Sequence, residues 1–325
     1  MRVRFLFLKQ LGDDIMEISL ILLKEIIKLF LIMLMGFALI RTGKLKTADG
    51  KALSVLLVYL ILPCVIIHSF QIDAADEIKA GLLFALAASA AVHFIFIMVT
   101  AGLRPILRLK AVEQASLIYS NAGILVIPLV MALLGTDYVI YPCTYMAVQL
   151  VLLWTHGSHL LCGGGEIQFR TIFSNINILA IVLGAVLFLL QIKLPVLLDQ
   201  TMASVGSTIG PIGMLITGMA IADCDLKEIF LKVRNYMPVL IRLVGYPVLL
   251  VVVFAVLHLS GCVMDGKNIL LTIFIASITP TAAIVTSMAE LYDQDPSYSA
   301  ELCVLSTILS IVTMPVLVFG YQCFA

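Results

Sequence analysis

Apolar runs of roughly 20 residues succeed one another along this chain, and a run of that length is what a helix needs to cross about 30 Å of hydrocarbon, tilted or not. Ten such segments are bounded by charge, glycine and proline. They are Ile18–Ile40, Ala52–Phe70, Ile78–Leu103, Ala111–Leu134, Tyr138–Cys162, Ile176–Leu194, Met202–Ile221, Met237–Leu259, Asn268–Leu291 and Ala300–Phe324. With 62% hydrophobic and 12% charged residues and a mean hydropathy of +1.13, a soluble globule is excluded, and water-soluble enzymes with it. The fold class expected is an all-α polytopic membrane protein. Lys+Arg and Asp+Glu balance at 20 each, which leaves no basic excess for nucleic acid. Cys64, Cys143, Cys162, Cys224, Cys262, Cys303 and Cys323 are scattered, with no CxxC and no His at metal spacing, and read as small buried hydrophobes.

Charge placement predicts the topology. The loops after segments one, three, five and seven hold eleven Lys and Arg, from the Arg41/Lys51 and Arg104/Lys110 clusters, Arg170 and Lys227/Lys232/Arg234, against three (Lys79, Lys193, Lys267) in the alternate loops. The positive-inside rule puts the first set in the cytoplasm and both termini outside. Arg2, Arg4 and Lys9 oppose that orientation, but Met16 begins a complete first span. Residues 1–15 are therefore expected to be a dispensable extension, followed by a first five-helix repeat (16–162), a cytoplasmic linker (163–175, opening with Gly163-Gly164-Gly165) and a second repeat (176–325).

A shift of 148 residues superimposes Gly36 on Gly184 and Pro63 on Pro211. An odd number of spans in each half inserts the halves in opposite senses, so the expectation is ten transmembrane helices as two inverted five-helix repeats. In transporters so built, matched broken helices mark the substrate site. Segments four and nine qualify. Segment four carries Ser120, Asn121, Gly123 and Pro128, and segment nine carries Ser277, Thr279, Pro280 and Thr281. Proline removes a backbone donor and crowds the carbonyl four residues back, and irregular backbone persists in hydrocarbon only when buried in protein or facing a watery cavity. An ordinary proline kink is the bland alternative. No Lys or Arg is near either break in sequence, so an anion would be held by helix ends and by side chains such as Asn121.

From Met16 onward the chain resembles the auxin efflux carrier family. The resemblance rests on Asn121 with Pro128, on Pro280 with Ala289 and Tyr292, and on Ser306-Thr307, Ser310 and Thr313-Met314-Pro315. Gln149 with Trp154-Thr155, and Arg242 with Pro247, add to it. The chain departs from the plant exporters in lacking a long hydrophilic loop and in carrying Val285 rather than a second proline, so a bacterial-type permease fits better. The resemblance implies a scaffold of segments one, two, six and seven, and a transport domain whose helices four and nine cross at the substrate. It implies Asn121, Pro128 and Pro280 as the core of a substrate-binding set with Gln149 as a neighbour, to which the polar residues of the breaks add Ser120 and Thr281, and small organic acids such as malate or malonate as cargo, moved by alternating access.

Arg242 reads as a residue snorkelling to the cytoplasmic interface, Glu113 and Glu290 as interfacial carboxylates, His93 and His156 as satisfied buried imidazoles, and Asn175 as neutral to substitution. The competing classes are an intramembrane enzyme and a ligand-binding membrane sensor. There is no GxSxG or HExxH, the aspartates fall at span ends, and nothing in these residues adds an output domain, so transport is the expectation. No cofactor or metal is expected. The partners expected are a small organic anion and the lipid bilayer of the cell membrane, with a homodimer left open and no nucleic acid.

Overall fold

The computed structural model describes residues 2–163, 174–222 and 224–324, with side chains from Leu20 to Cys323. Regular structure there is helical, apart from one isolated antiparallel bridge between Ser120 and Thr281. The helices are α1 (Arg2–Arg41), α2 (Thr47–Ser69), α3 (Asp76–Leu107), α4 (Ala111–Ile118), α5 (Ala122–Leu134), α6 (Thr136–Cys162), α7 (Ile176–Leu189), α8 (Val196–Ala222), α9 (Leu226–Leu231), α10 (Val233–Val256), α11 (Gly266–Ile278), α12 (Ala283–Leu291) and α13 (Pro296–Cys323). The expected extension, residues 1–15, has side chains outside the described residues, and of the linker 163–175 only Gly163, Ser174 and Asn175 lie within them.

The ten-helix inverted-repeat expectation is corrected. Among the described residues six helices are long and apolar enough to cross a membrane: α2, α3, α6, α8, α10 and α13. α5, α7 and α11 are apolar but span only ten to seventeen residues. An apolar run in sequence does not show where its helix stops. Segment four divides into α4 and α5, segment nine into α11 and α12, and neither half reaches the length a continuous span needs.

Large apolar side chains such as Leu83, Phe94, Val252 and Val312 are exposed on the outside, the face a bilayer covers. Inside, glycine lets backbones meet. A Cβ on Gly218 of α8 would lie 1.8 Å from the Met33 carbonyl oxygen of α1, and one on Gly36 of α1 would lie 2.3 Å from that of Leu215. Close backbone approach is the principal source of packing energy between helices in lipid, where apolar side chains gain nothing by leaving the tails.

Several prolines of the apolar segments sit inside continuous helix, and three of them share one device. Pro63, Pro128 and Pro247 are each the second residue after a wide π turn, at Leu57–Ile61, Ala122–Val126 and Ile241–Gly245. The extra residue in such a turn makes room for a ring that would otherwise clash with the preceding turn.

Candidate functional site

The backbone leaves the helix at Tyr119–Asn121 and at Thr279–Ala282, and the two breaks lie side by side. Asn121 N–H donates to the Pro280 carbonyl (2.8 Å) and Ala282 N–H to that of Tyr119 (3.0 Å), which makes a two-residue fragment of sheet at the centre of a helical protein. Other helices satisfy what the fragment leaves over. Gln149 of α6 acts as a third strand: its Oε1 accepts from Ser120 N (2.9 Å) and Oγ (2.8 Å), and its Nε2 donates to the Ser120 carbonyl (2.8 Å). Thr281 N donates to Ser306 Oγ of α13 (3.1 Å), and Thr281 Oγ1 donates to the Ser116 carbonyl (3.2 Å).

On one side of this crossing lies a cavity of about 620 Å³. Its walls come from the starts of α5 and α12, from α6, and from α2, α7 and α8 opposite. Ser120, Asn121 and Gln149 line it, whereas Pro128, Pro280 and Thr281 do not. Pro128 faces α8, where a Cβ on Gly210 would meet its ring at 3.2 Å. Thr281 is buried behind the crossing, and Pro280 contributes its carbonyl to Asn121.

Two helices begin at the cavity without a side-chain cap: Ala282 precedes α12, and Asn121 precedes α5 with its amide unused for capping. The N–H groups of Ala122, Gly123, Ala283 and Ile284, all on the cavity wall, have no protein acceptor outside their own helices among the described residues, and first-turn amides have none within. The Asn121 side chain makes no hydrogen bond to the described residues, and Trp154 Nε1 and Asn177 Oδ1 are buried on the same wall without a partner. Asn175, expected to be neutral, caps α7 by accepting from Asn177 N (3.0 Å) and Ile178 N (3.4 Å) and lines the cavity as well.

The opposite side of the crossing is buried and charged, which sequence reasoning missed. Arg242, placed by the π turn in α10, is 1% exposed. It donates to the carbonyls of Leu117 (3.0 Å), Ser277 (2.7 Å) and Thr279 (3.1 Å), at the ends of α4 and α11, and its guanidinium packs over the Phe96 ring at 5.5 Å. It is neither at an interface nor far from the breaks. The signal available was an arginine inside an apolar run, which has to face protein.

Glu113, expected at the interface, is fully buried at the start of α4. It accepts from Arg234 through Nε (2.7 Å) and Nη2 (2.8 Å), from Tyr298 Oη (2.8 Å) and from Lys110 N (2.8 Å). Lys110 pairs with Asp295, and Lys232 with Glu301 and Glu228, whose carboxylates raise the Lys232 ammonium above its ordinary value. These cations are matched by carboxylates and form no anion site. His93 Nδ1–H donates to the Ser89 carbonyl (2.8 Å), and its Nε2 has no partner among the described residues.

A model of a family described as membrane transport protein matches residues 21–318, nearly the whole chain. No curated protein matches it.

Proposed function

Since the chain belongs to the membrane transport protein family, the family of the auxin efflux carriers, we propose that it is a secondary transporter of a small organic anion, bound where the two broken helices cross. Membership makes it a multi-pass membrane transporter rather than an enzyme; the cargo and the route are the proposal. One observation carries it: the uncapped N-termini of α5 and α12 converge on a single cavity. Each helix N-terminus presents about half a positive charge, so together they match about one carboxylate without a salt bridge. Asn121 adds a donor beside them, and the apolar wall of Leu57, Leu62, Met146 and Ile284 suits a short carbon skeleton.

The cavity reaches Ser54 and Asn175, near loops of the basic set, and Leu291, beside the loop after segment nine, which the same alternation places on that side. With those loops cytoplasmic and both termini outside, as the charge count predicts, the conformation is open inward. Toward the other end, Val65, Met131, Val139 and Gly206 close around a gap of only about 70 Å³. Alternating access then means movement of α4, α5, α11 and α12 against α1, α2, α7 and α8, which opens that gap and shuts the cavity.

The test is flux into proteoliposomes of malonate, malate and an aromatic auxin-like acid, with a cation and a neutral solute of similar size beside them. At least one carboxylate should move and be competed by the others. Transport of the cation with no effect of any carboxylate would sink the proposal.

A further inference from the structure

The ends of α4 and α11 pose the opposite electrostatic problem to the starts of α5 and α12. Each helix C-terminus presents about half a negative charge, and the carbonyls of Leu117, Ser277 and Thr279 converge at one buried point. Converging backbone carbonyls at broken-helix ends are the ligand set that coupling cations take in secondary transporters. Here the point is filled by Arg242. Its single positive charge matches the sum of the two helix ends, and no carboxylate pairs with it among the described residues. Four further carbonyls of the crossing are already used: Ser116 by Thr281 Oγ1, Tyr119 by Ala282 N, Ser120 by Gln149 and Pro280 by Asn121 N.

We infer that Arg242 is a tethered cation, standing where a free coupling ion would otherwise hold the two half-helices together, so that the crossing is assembled and works without Na⁺ or K⁺. Because the guanidinium bridges α4 and α11 from α10, it also ties the three helices into one moving body. The ion-independence of flux rests on the transport reading; the tethered-cation role does not.

The experiment compares melting temperatures of purified protein in choline, sodium and potassium chloride at equal ionic strength. Wild type should melt identically in all three. Arg242→Ala should melt lower in choline chloride and regain part of the loss in millimolar guanidinium chloride, which should leave wild type unchanged, because a ligand that binds only the folded state stabilises it by mass action. Arg242→Lys, which keeps the charge, should retain more than Arg242→Gln, which keeps donors without charge. Wild type stabilised by Na⁺ or K⁺ over choline would overturn the inference, as would Gln equal to or better than Lys, or a folded Arg242→Ala indifferent to guanidinium. If Arg242→Ala yields no folded protein, the Lys and Gln ranking and the wild-type series decide. No arm uses substrate, so absence of organic-acid flux in liposomes is a separate failure, of the transport reading alone. Where malonate flux is measured, replacing Na⁺ by choline should leave it unchanged.

Discussion

Asn121 and Gln149 line the same cavity with side chains of the same chemistry, yet their hydrogen bonding separates them. The Gln149 amide is consumed by the Ser120 peptide, so Gln149→Ala leaves a buried N–H and C=O unpaired, at about 1–3 kcal/mol for each group. The Asn121 side chain holds nothing in place, and water can serve it in an open cavity. Asn121→Ala should therefore express and melt near wild type while losing most flux, whereas Gln149→Ala should lose flux in proportion to lost folded protein. Melting temperature, membrane yield and flux on both variants check this, and an Asn121→Ala variant with full flux would show the residue has no part in binding. Asn121 stood out in the sequence because an amide inside an apolar run needs a reason. The clasp by Gln149 and the clamp by Arg242 did not, because both depend on which residues of other helices face the breaks, and side-chain facing cannot be read from a run that is apolar all round. Loss of the Asn175 cap costs about 0.5–2 kcal/mol, so that residue, expected to be neutral, is no control for Asn121.

At the scale of elements, α1 and α8 are joined through backbone. Gly218→Ala puts a methyl within 1.8 Å of the Met33 carbonyl and forces the helices apart, while Gly320→Ala in α13 meets nothing within 4 Å. The first should lower the melting temperature clearly, since overpacking costs about 1–3 kcal/mol, and the second should leave it unchanged or raise it slightly; equal melting of the two would contradict the packing. Element type was legible from the apolar runs, because a helix is the form that satisfies its own backbone in hydrocarbon. Element length was not. Segments four and nine read as broken, but not where each half ends, and one proline misdirected: Pro128 lies two turns past the break at Asn121, accommodated by a π turn, whereas Pro280 sits at the break of its own segment. That difference follows from context, since a wide turn absorbs a proline and a partner strand stabilises a break, and neither is local in sequence.

For the whole molecule, the crossing has two faces: helix starts with free amides toward a cavity, and helix ends neutralised by Arg242 in the buried interior. The central claim is that a small carboxylate occupies the first face, reached from the cytoplasm. Ser287 lines the cavity one turn beyond Ala283 and is exposed there. The most direct measurement is the alkylation rate of Ser287→Cys, with the seven native cysteines replaced, by a membrane-impermeant maleimide applied to each side of oriented vesicles. The expected result is labelling from the cytoplasmic side, slowed in a saturable way by whichever carboxylate the liposomes transport. Labelling only from outside, or a rate indifferent to a carboxylate whose flux is measurable, would contradict it.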